Sequence, residues 1–239
     1  MSAAGTVDPR RTLLPHVIMA VFTVLVFGAI ALSLVTAPPV AQTDLQSAAK
    51  ATLDASGFRL VDVNSATYIG PVPQGSSGRL LTRTNVIHVL YQAPDRVRES
   101  GLSPTGQSAT AVVAGSRHFV TSAGRWTELR AQPGLGGRAV DTVLSPLRVA
   151  TGATDVVRRG DVYAFVPSDL RSFITTILGT TPGRLTGLQV GAVVRGGYLV
   201  EERVSAVMGT DRLGVDLTFS VIGAAPPVTL PVAGSPAPG

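Results

Sequence analysis

Glu201 and Glu202 are adjacent carboxylates in an otherwise largely apolar run, Tyr198–Met208. Paired carboxylates can do general acid–base work. Neighbouring residues of a strand, however, point to opposite faces, so one must point inward unless a bulge intervenes. With Arg203 beside them, a satisfied structural pair is expected rather than a catalytic one. His88 and His118 each lie inside an extended run with no acidic neighbour at ligand spacing. The two could ligate a metal across a sheet with one carboxylate, but two half-exposed strand histidines are the ordinary outcome. Gly134-Leu135-Gly136-Gly137-Arg138-Ala139 fits the dinucleotide fingerprint in letters. It follows Ala131-Gln132-Pro133 rather than an apolar strand, so the βα context that gives the motif its chemistry is missing, and a tight turn is expected. No Gly-x-Ser-x-Gly or phosphate-binding Gly-x-x-x-x-Gly-Lys occurs, and the chain has no cysteine. No catalytic residue, metal site or cofactor is therefore assigned, and the chain reads as non-enzymatic.

The net charge of +5 and an isoelectric point near 10.4 raise the possibility of nucleic acid as a partner. The arginines are spread singly and interleaved with 14 of the 15 acids from Asp44 onward, without a basic run or an aromatic platform. That pattern argues against a nucleic-acid surface. A mildly cationic surface facing anionic envelope lipids is the simpler account.

From Thr12 to Thr43 there is no Lys, Arg, Asp or Glu, and Val17–Ala37 is densely apolar. At ~1.5 Å per residue this run spans ~30 Å, the hydrocarbon thickness of a bilayer. Arg10 and Arg11 precede it and Asp44 follows, which keeps the N-terminus inside and exports the rest. The expected organisation is a cytoplasmic tail over 1–14, a transmembrane helix over 15–37, a linker over 38–43 and an exported domain over 44–231. A Pro-rich tail, disordered over 232–239, would close the chain. A cleaved signal peptide is the competing reading. It is disfavoured because the Val35-Thr36-Ala37 site is followed by Pro38, and Pro39-Val40-Ala41 carries a proline at a specificity position.

The elements that must position any site follow from periodicity. Thr43-Asp44-Leu45-Gln46 reads as a capping box opening a helix over 44–56. Extended runs follow at Phe58–Ile69, Leu80–Gln92 and Arg96–Ser100. Ala109–Ala114 and Arg117–Thr121 form a hairpin closed by Gly124-Arg125-Trp126. Gln132–Gly137 is a loop before an amphipathic helix over about 139–149, which contains Pro146. A strand at Asp161–Val166 and a helix over 169–178 come next. Leu185–Arg195 and Tyr198–Met208 flank Gly196-Gly197, a pair suited to a primed hairpin turn. Val215, Leu217, Phe219 and Val221 then alternate with polar residues, the mark of one buried and one wet face. The fold class is α+β: an antiparallel sheet carrying two or three helices.

Three segments together resemble a known family. They are Tyr91-Gln92-Ala93-Pro94-Asp95-Arg96-Val97-Arg98, the hairpin Val112–Val120 with Gly124-Arg125-Trp126 after it, and Leu217–Gly223 followed by Pro227-Val228-Thr229-Leu230-Pro231. In order and spacing they are similar to the LolA-like group of lipoprotein carriers, nearest to the actinobacterial LppX/LprG lipoproteins. The resemblance covers most of 44–231. It implies an antiparallel half-barrel curled over helices, with an apolar cavity for acyl chains. Val190, Ala192, Val204, Ala206, Leu217 and Phe219, each in the apolar parity of its strand, would line it. The family is anchored through a lipidated cysteine; this chain has none, and a membrane helix would take its place. The expected function is a membrane-anchored envelope protein that binds lipid or another apolar ligand. The alternative is an interaction or sensory module with the same fold and a filled core, acting on a membrane or envelope protein partner.

Overall fold

A computed structural model describes residues 39–68, 81–102, 108–177, 185–209 and 211–237. The chain after Pro38 forms one compact unit. No helix among the described residues is long and apolar enough to cross a membrane. The segment 15–37, expected to do so, lies outside them, as does the tail 1–14.

Helix α1 (Pro39–Leu53) leads into β1 (Gly57–Tyr68), β2 (Leu81–Gln92), β3 (Arg96–Leu102), β4 (Ser108–Ala114), β5 (Arg117–Ser122) and β6 (Arg125–Leu129). Helix α2 (Leu135–Thr151) carries the chain to β7 (Thr154–Arg159) and β8 (Val162–Val166). Helix α3 (Leu170–Ile177) precedes β9 (Leu185–Arg195), β10 (Tyr198–Met208) and β11 (Asp211–Ser220). The eleven strands among the described residues form one antiparallel sheet in the order β6-β5-β4-β3-β2-β1-β11-β10-β9-β8-β7. Two meanders are thus joined where the first strand pairs with the last, from Arg59↔Ser220 to Thr67↔Arg212. The α+β expectation holds, with an open half-barrel sheet.

The helices cover one face, which we call concave. Register places Phe58, Tyr91, Val97, Leu217 and Phe219 on it, packed with Leu45 of α1 and Leu144 and Leu147 of α2. Phe58 sits 5.0 Å from Tyr91 and edge-on to Phe219 at 5.4 Å, within the range of favourable ring pairs. On the opposite face a smaller cluster of Val112, Phe119 and Trp126 is closed by Val228.

Several boundaries differ from expectation, each for a physical reason. Helix α1 already includes residues 39–43, so these are no linker. Pro39 suits a first helical turn, where an N–H would have no partner, and Thr43 lies inside the helix rather than capping it. Helix α2 begins at Leu135 and takes in part of the expected loop. Buried Pro146 is accommodated within it. Strand β7 lacks an apolar alternation and is placed only by its pairing with β8. Residues 232–237 are not disordered, as their composition suggests. Trp126 N–H donates to Ser235 O (3.0 Å), Gly234 N–H to Trp126 O (2.7 Å) and Ala237 N–H to Gly124 O (2.9 Å). The tail thereby pairs with the outer side of β6. Residues 238–239 lie outside the described residues. The Gly196-Gly197 turn is as expected, with φ of 58° and 79°, the positive values of a primed hairpin turn.

The glycine-rich segment proves structural. Gly136 N–H donates to Gly115 O (2.9 Å), seating α2 on the β4–β5 turn, and a Cβ on Gly136 would run into that carbonyl. A Cβ on Gly137, one residue on, meets nothing within 4 Å. Gly136→Ala should therefore destabilise by ~1–3 kcal/mol, whereas Gly137→Ala should stabilise by up to ~1 kcal/mol through helix propensity. Chemical denaturation of the two variants checks the opposite signs.

Candidate functional site

The concave face divides lengthwise. Towards one end α1 packs on β10, and α2 on β2–β5, and there the inward side chains are fully buried. Val190, Ala192, Val204, Ala206, Leu217 and Phe219 all lie on this face and are at most 5% exposed. Register brings them together: Val190 stands opposite Val204 and Val204 opposite Val215, while Leu217 lies one strand from Asp62. All of them except Ala206 belong to the same core cluster as the helix residues.

Towards the other end the same face is only half-buried. Asp62, Asn64, Ile87, Glu99, Gly101, Ala111 and Leu213 are all intermediate. Over β2–β5 it forms an open trough of about 240 Å³, lined on the concave side by Asn85, Ile87, Glu99, Gly101, Ala109, Ala111 and Val120. Gly101, Ala109 and Ala111 put small residues on its floor. A second groove, about 540 Å³, lies between α2 and the start of α3 and is lined by polar residues including Arg138, Ser145 and Ser168. In it Arg148 pairs with Asp141 at 2.8 Å.

Three carboxyl groups on the concave face are shifted from their ordinary range. Asp62 is pushed above its ordinary range by burial, partly offset by a hydrogen bond that Asn64 donates at 2.9 Å. Glu99 is raised by burial and then by the charge of Asp62, with His118 opposing. Glu202 is the extreme case. It is 0% exposed, neither carboxylate oxygen has a partner, and burial raises its pKa to about 8. It is the only group among the described residues with unpartnered buried side-chain oxygens or nitrogens. Leaving such a group unsatisfied costs ~1–3 kcal/mol.

The expected Glu201–Glu202 structural pair is thus corrected. Glu201 points to the convex face, where Arg203 binds it at 3.1 Å and Arg195 approaches to 3.7 Å. Glu202 points the other way and takes part in neither contact. The alternation that turns Val204 and Ala206 inward turns Glu202 inward too, so the signal lies in the strand parity. The neighbouring Arg203 masks it. His88 and His118 fall on opposite faces, since His118 aligns through Val113 and Val97 with Tyr91 while His88 has the other parity. They cannot share a ligand. No group of His, Asp or Glu that could hold a metal ion occurs among the described residues.

The buried carboxyl has a measurable consequence. A folded pKa of about 8 against 4.5 unfolded means the folded state holds a proton that the unfolded state releases. Its contribution to stability is whole below pH 4.5, falls as pH rises through this window by ~1.4 kcal/mol per unit, and levels off above the folded value. Asp62, in the same cross-strand row, and Glu99 add slopes of the same sign at the acid end. Glu202→Gln should flatten the upper part of the profile and leave the acid end. Denaturation midpoints measured across this range, wild type against variant, check it.

No family model matches the sequence, and no curated protein matches it. Solved structures do. LprF from Mycobacterium bovis matches with a TM-score of 0.50 at 16% identity, covering 83% of this chain and 99% of that one. The Mycobacterium tuberculosis lipoprotein LppX matches with a TM-score of 0.46 at 16% identity, over 80% of this chain and 98% of that one. A LolA superfamily protein from Nitrosomonas europaea gives 0.29 at 11% identity, over 75% and 92%. At these identities the likeness is one of fold. The antiparallel half-barrel implied by the resemblance of the three sequence segments is the one observed, and its fold is similar to that of LprF.

Proposed function

We propose that this protein is a non-enzymatic binder of acyl-chain lipid or a comparable apolar ligand, held on the concave face of the sheet in the cell envelope. One observation carries the reading: the helices close over only part of that face and leave an open trough with small side chains on its floor. A sheet whose inward face served only as a core would be covered along its length. The fold shared with LprF supports the reading, and Val190, Ala192, Val204, Ala206, Leu217 and Phe219 are its lining candidates on the covered part of the same face, away from the trough. The apolar, uncharged run over 15–37 would anchor the domain outside the membrane, with the N-terminus cytoplasmic.

A second reading, an interaction or sensory module with a filled core, is favoured by one fact. Most of those lining candidates already pack with α1 and α2 in a single cluster.

Two measurements separate these readings and test the anchor. Organic extracts of the purified full-length chain, analysed by mass spectrometry, should contain acyl lipid at roughly one molecule per protein. Ala192→Phe should then displace that lipid with little change in melting temperature. Lipid-free wild type together with a loss of ~1–3 kcal/mol in Ala192→Phe would identify a packed core and overturn the proposal. In membranes, the full chain should resist carbonate extraction; a soluble form beginning near Pro38 or Gln42 would overturn the anchor.

A further inference from the structure

The unpartnered carboxyl of Glu202 stands at the centre of a cross-strand row. Reading across the sheet, Asp62, Leu217, Glu202, Ala192 and Tyr163 lie opposite one another on β1, β11, β10, β9 and β8. Its immediate neighbours in the row are thus a leucine and an alanine. Neither offers a hydrogen bond, and a hydrocarbon side chain at 202 would match both. The helix packed on β10 does not supply a partner either. Its buried residues are Ala41, Leu45, Ala48, Ala49 and Thr52. The Thr52 hydroxyl is already committed: it donates to Ala48 O (3.1 Å) and accepts from Leu199 N–H (3.0 Å).

The cations nearby are engaged elsewhere. Arg195 and Arg203 bind Glu201 on the convex face, and Arg158, at the far end of the row, lies over the Tyr163 ring and pairs with Asp44 at 3.0 Å. The layer between α1 and β10–β9 is built from short side chains on both sides, with Ala41, Ala48 and Ala49 above and Ala192 and Ala206 below. The surroundings of Glu202 are therefore apolar on both sides. A protonated carboxyl in that layer offers one O–H donor and one carbonyl acceptor. It suits a neutral hydrogen-bonding group embedded between hydrocarbon chains. A cationic group would require it to ionise without solvent, and an anionic group would itself have to be stripped of water in the same apolar layer.

We infer that Glu202 is the polar anchor of the ligand layer, its carboxyl O–H donating to an ester carbonyl of an uncharged acyl lipid. The inference rests on the lipid-binding reading and sharpens it. The ligand is an acyl ester, recognised at the junction of its chains rather than by a charged headgroup. The burial that keeps Glu202 protonated keeps the donor in place up to about pH 8.

The test uses the purified full-length chain with dioleoylglycerol, its diether analogue and oleylamine, each competing with an apolar fluorescent dye. Wild type should bind the diester about tenfold more tightly than the diether, equivalent to ~1.4 kcal/mol. Glu202→Leu should erase that difference. Glu202→Gln, which retains a donor and an acceptor, should preserve most of it. The infrared stretch of the protonated carboxyl, identified by its loss in Glu202→Gln, should shift to lower frequency when the diester is added and stay put with the diether. Equal binding of diester and diether by wild type, an unmoved carboxyl band, or tightest binding of oleylamine would each overturn the anchor and leave the lipid-binding reading standing. Failure of wild type to bind the dye or any of the probes would remove the lipid-binding reading, and the anchor with it.

Discussion

The pairing of β1 with β11 holds the molecule together. Every other neighbouring pair in the sheet joins strands consecutive in sequence; this one joins segments on either side of almost the entire domain. It sets Phe58 and Leu60 against Leu217 and Phe219 and so centres the core on the junction. It also makes β6 and β7, consecutive in the chain, the two edges of the sheet. A flat sheet of eleven strands would separate its edges by ~48 Å at ~4.8 Å per strand. Helix α2, with 17 residues, spans only ~26 Å. Curling the sheet shortens the path that α2 and its flanking loops must bridge, and it puts that helix on the concave side.

From this geometry the division of the concave face follows. Helices α1 and α2 bury the rows around Phe58, Tyr91 and Leu199, and they are too short to cover strands of up to 12 residues along their length. Beyond them the inward residues turn smaller and more polar: Asp62 and Asn64 on β1, Glu99 and Gly101 on β3, Ala109 and Ala111 on β4. Carboxyl groups there are raised by partial burial rather than paired with cations. An apolar surface dotted with half-buried carboxyl groups is a poor core. It fits a ligand that is itself mostly hydrocarbon with a few hydrogen-bonding groups.

Much of this was legible from residue order alone, and the failures have causes. The β9–β10 hairpin could be read because Gly196-Gly197 demands one turn type and the flanking runs alternate cleanly. The inward set on β9, β10 and β11 followed from parity. Strand β7 could not be found, because Thr154, Asp155, Arg158 and Arg159 give no alternation and Asp155 has a positive φ of 49°. Its strand character comes entirely from β8. Glu202 was misjudged because sequence proximity to Arg203 suggests a pair, while adjacent strand residues face opposite ways. The tail was misjudged because its prolines signal a chain without regular structure. Extended chain of that kind needs no regular ladder to lie ordered against an exposed edge.

The tail also explains why three scattered segments could identify the fold. Val228 is buried in the same convex cluster as Trp126. Its N–H donates to the Gln92 side-chain oxygen at 2.8 Å, and its carbonyl accepts from Arg96 at 3.3 Å. The Gln92–Arg96 turn, the Gly-x-Trp of β6 and the Pro-Val segment after β11 therefore meet at one residue. Those segments read as a set because each satisfies groups on another: the tail covers a tryptophan, and the turn holds the tail. Further along, the tail's backbone pairs with β6, whose outer N–H and C=O groups would otherwise offer a template for another chain. The opposite edge, β7, carries arginines at 158 and 159, a charged edge that resists the same pairing. Closing the convex side with the chain's own terminus occupies that face of the β1–β6 meander. The concave side of the same meander is where the trough remains open to a ligand.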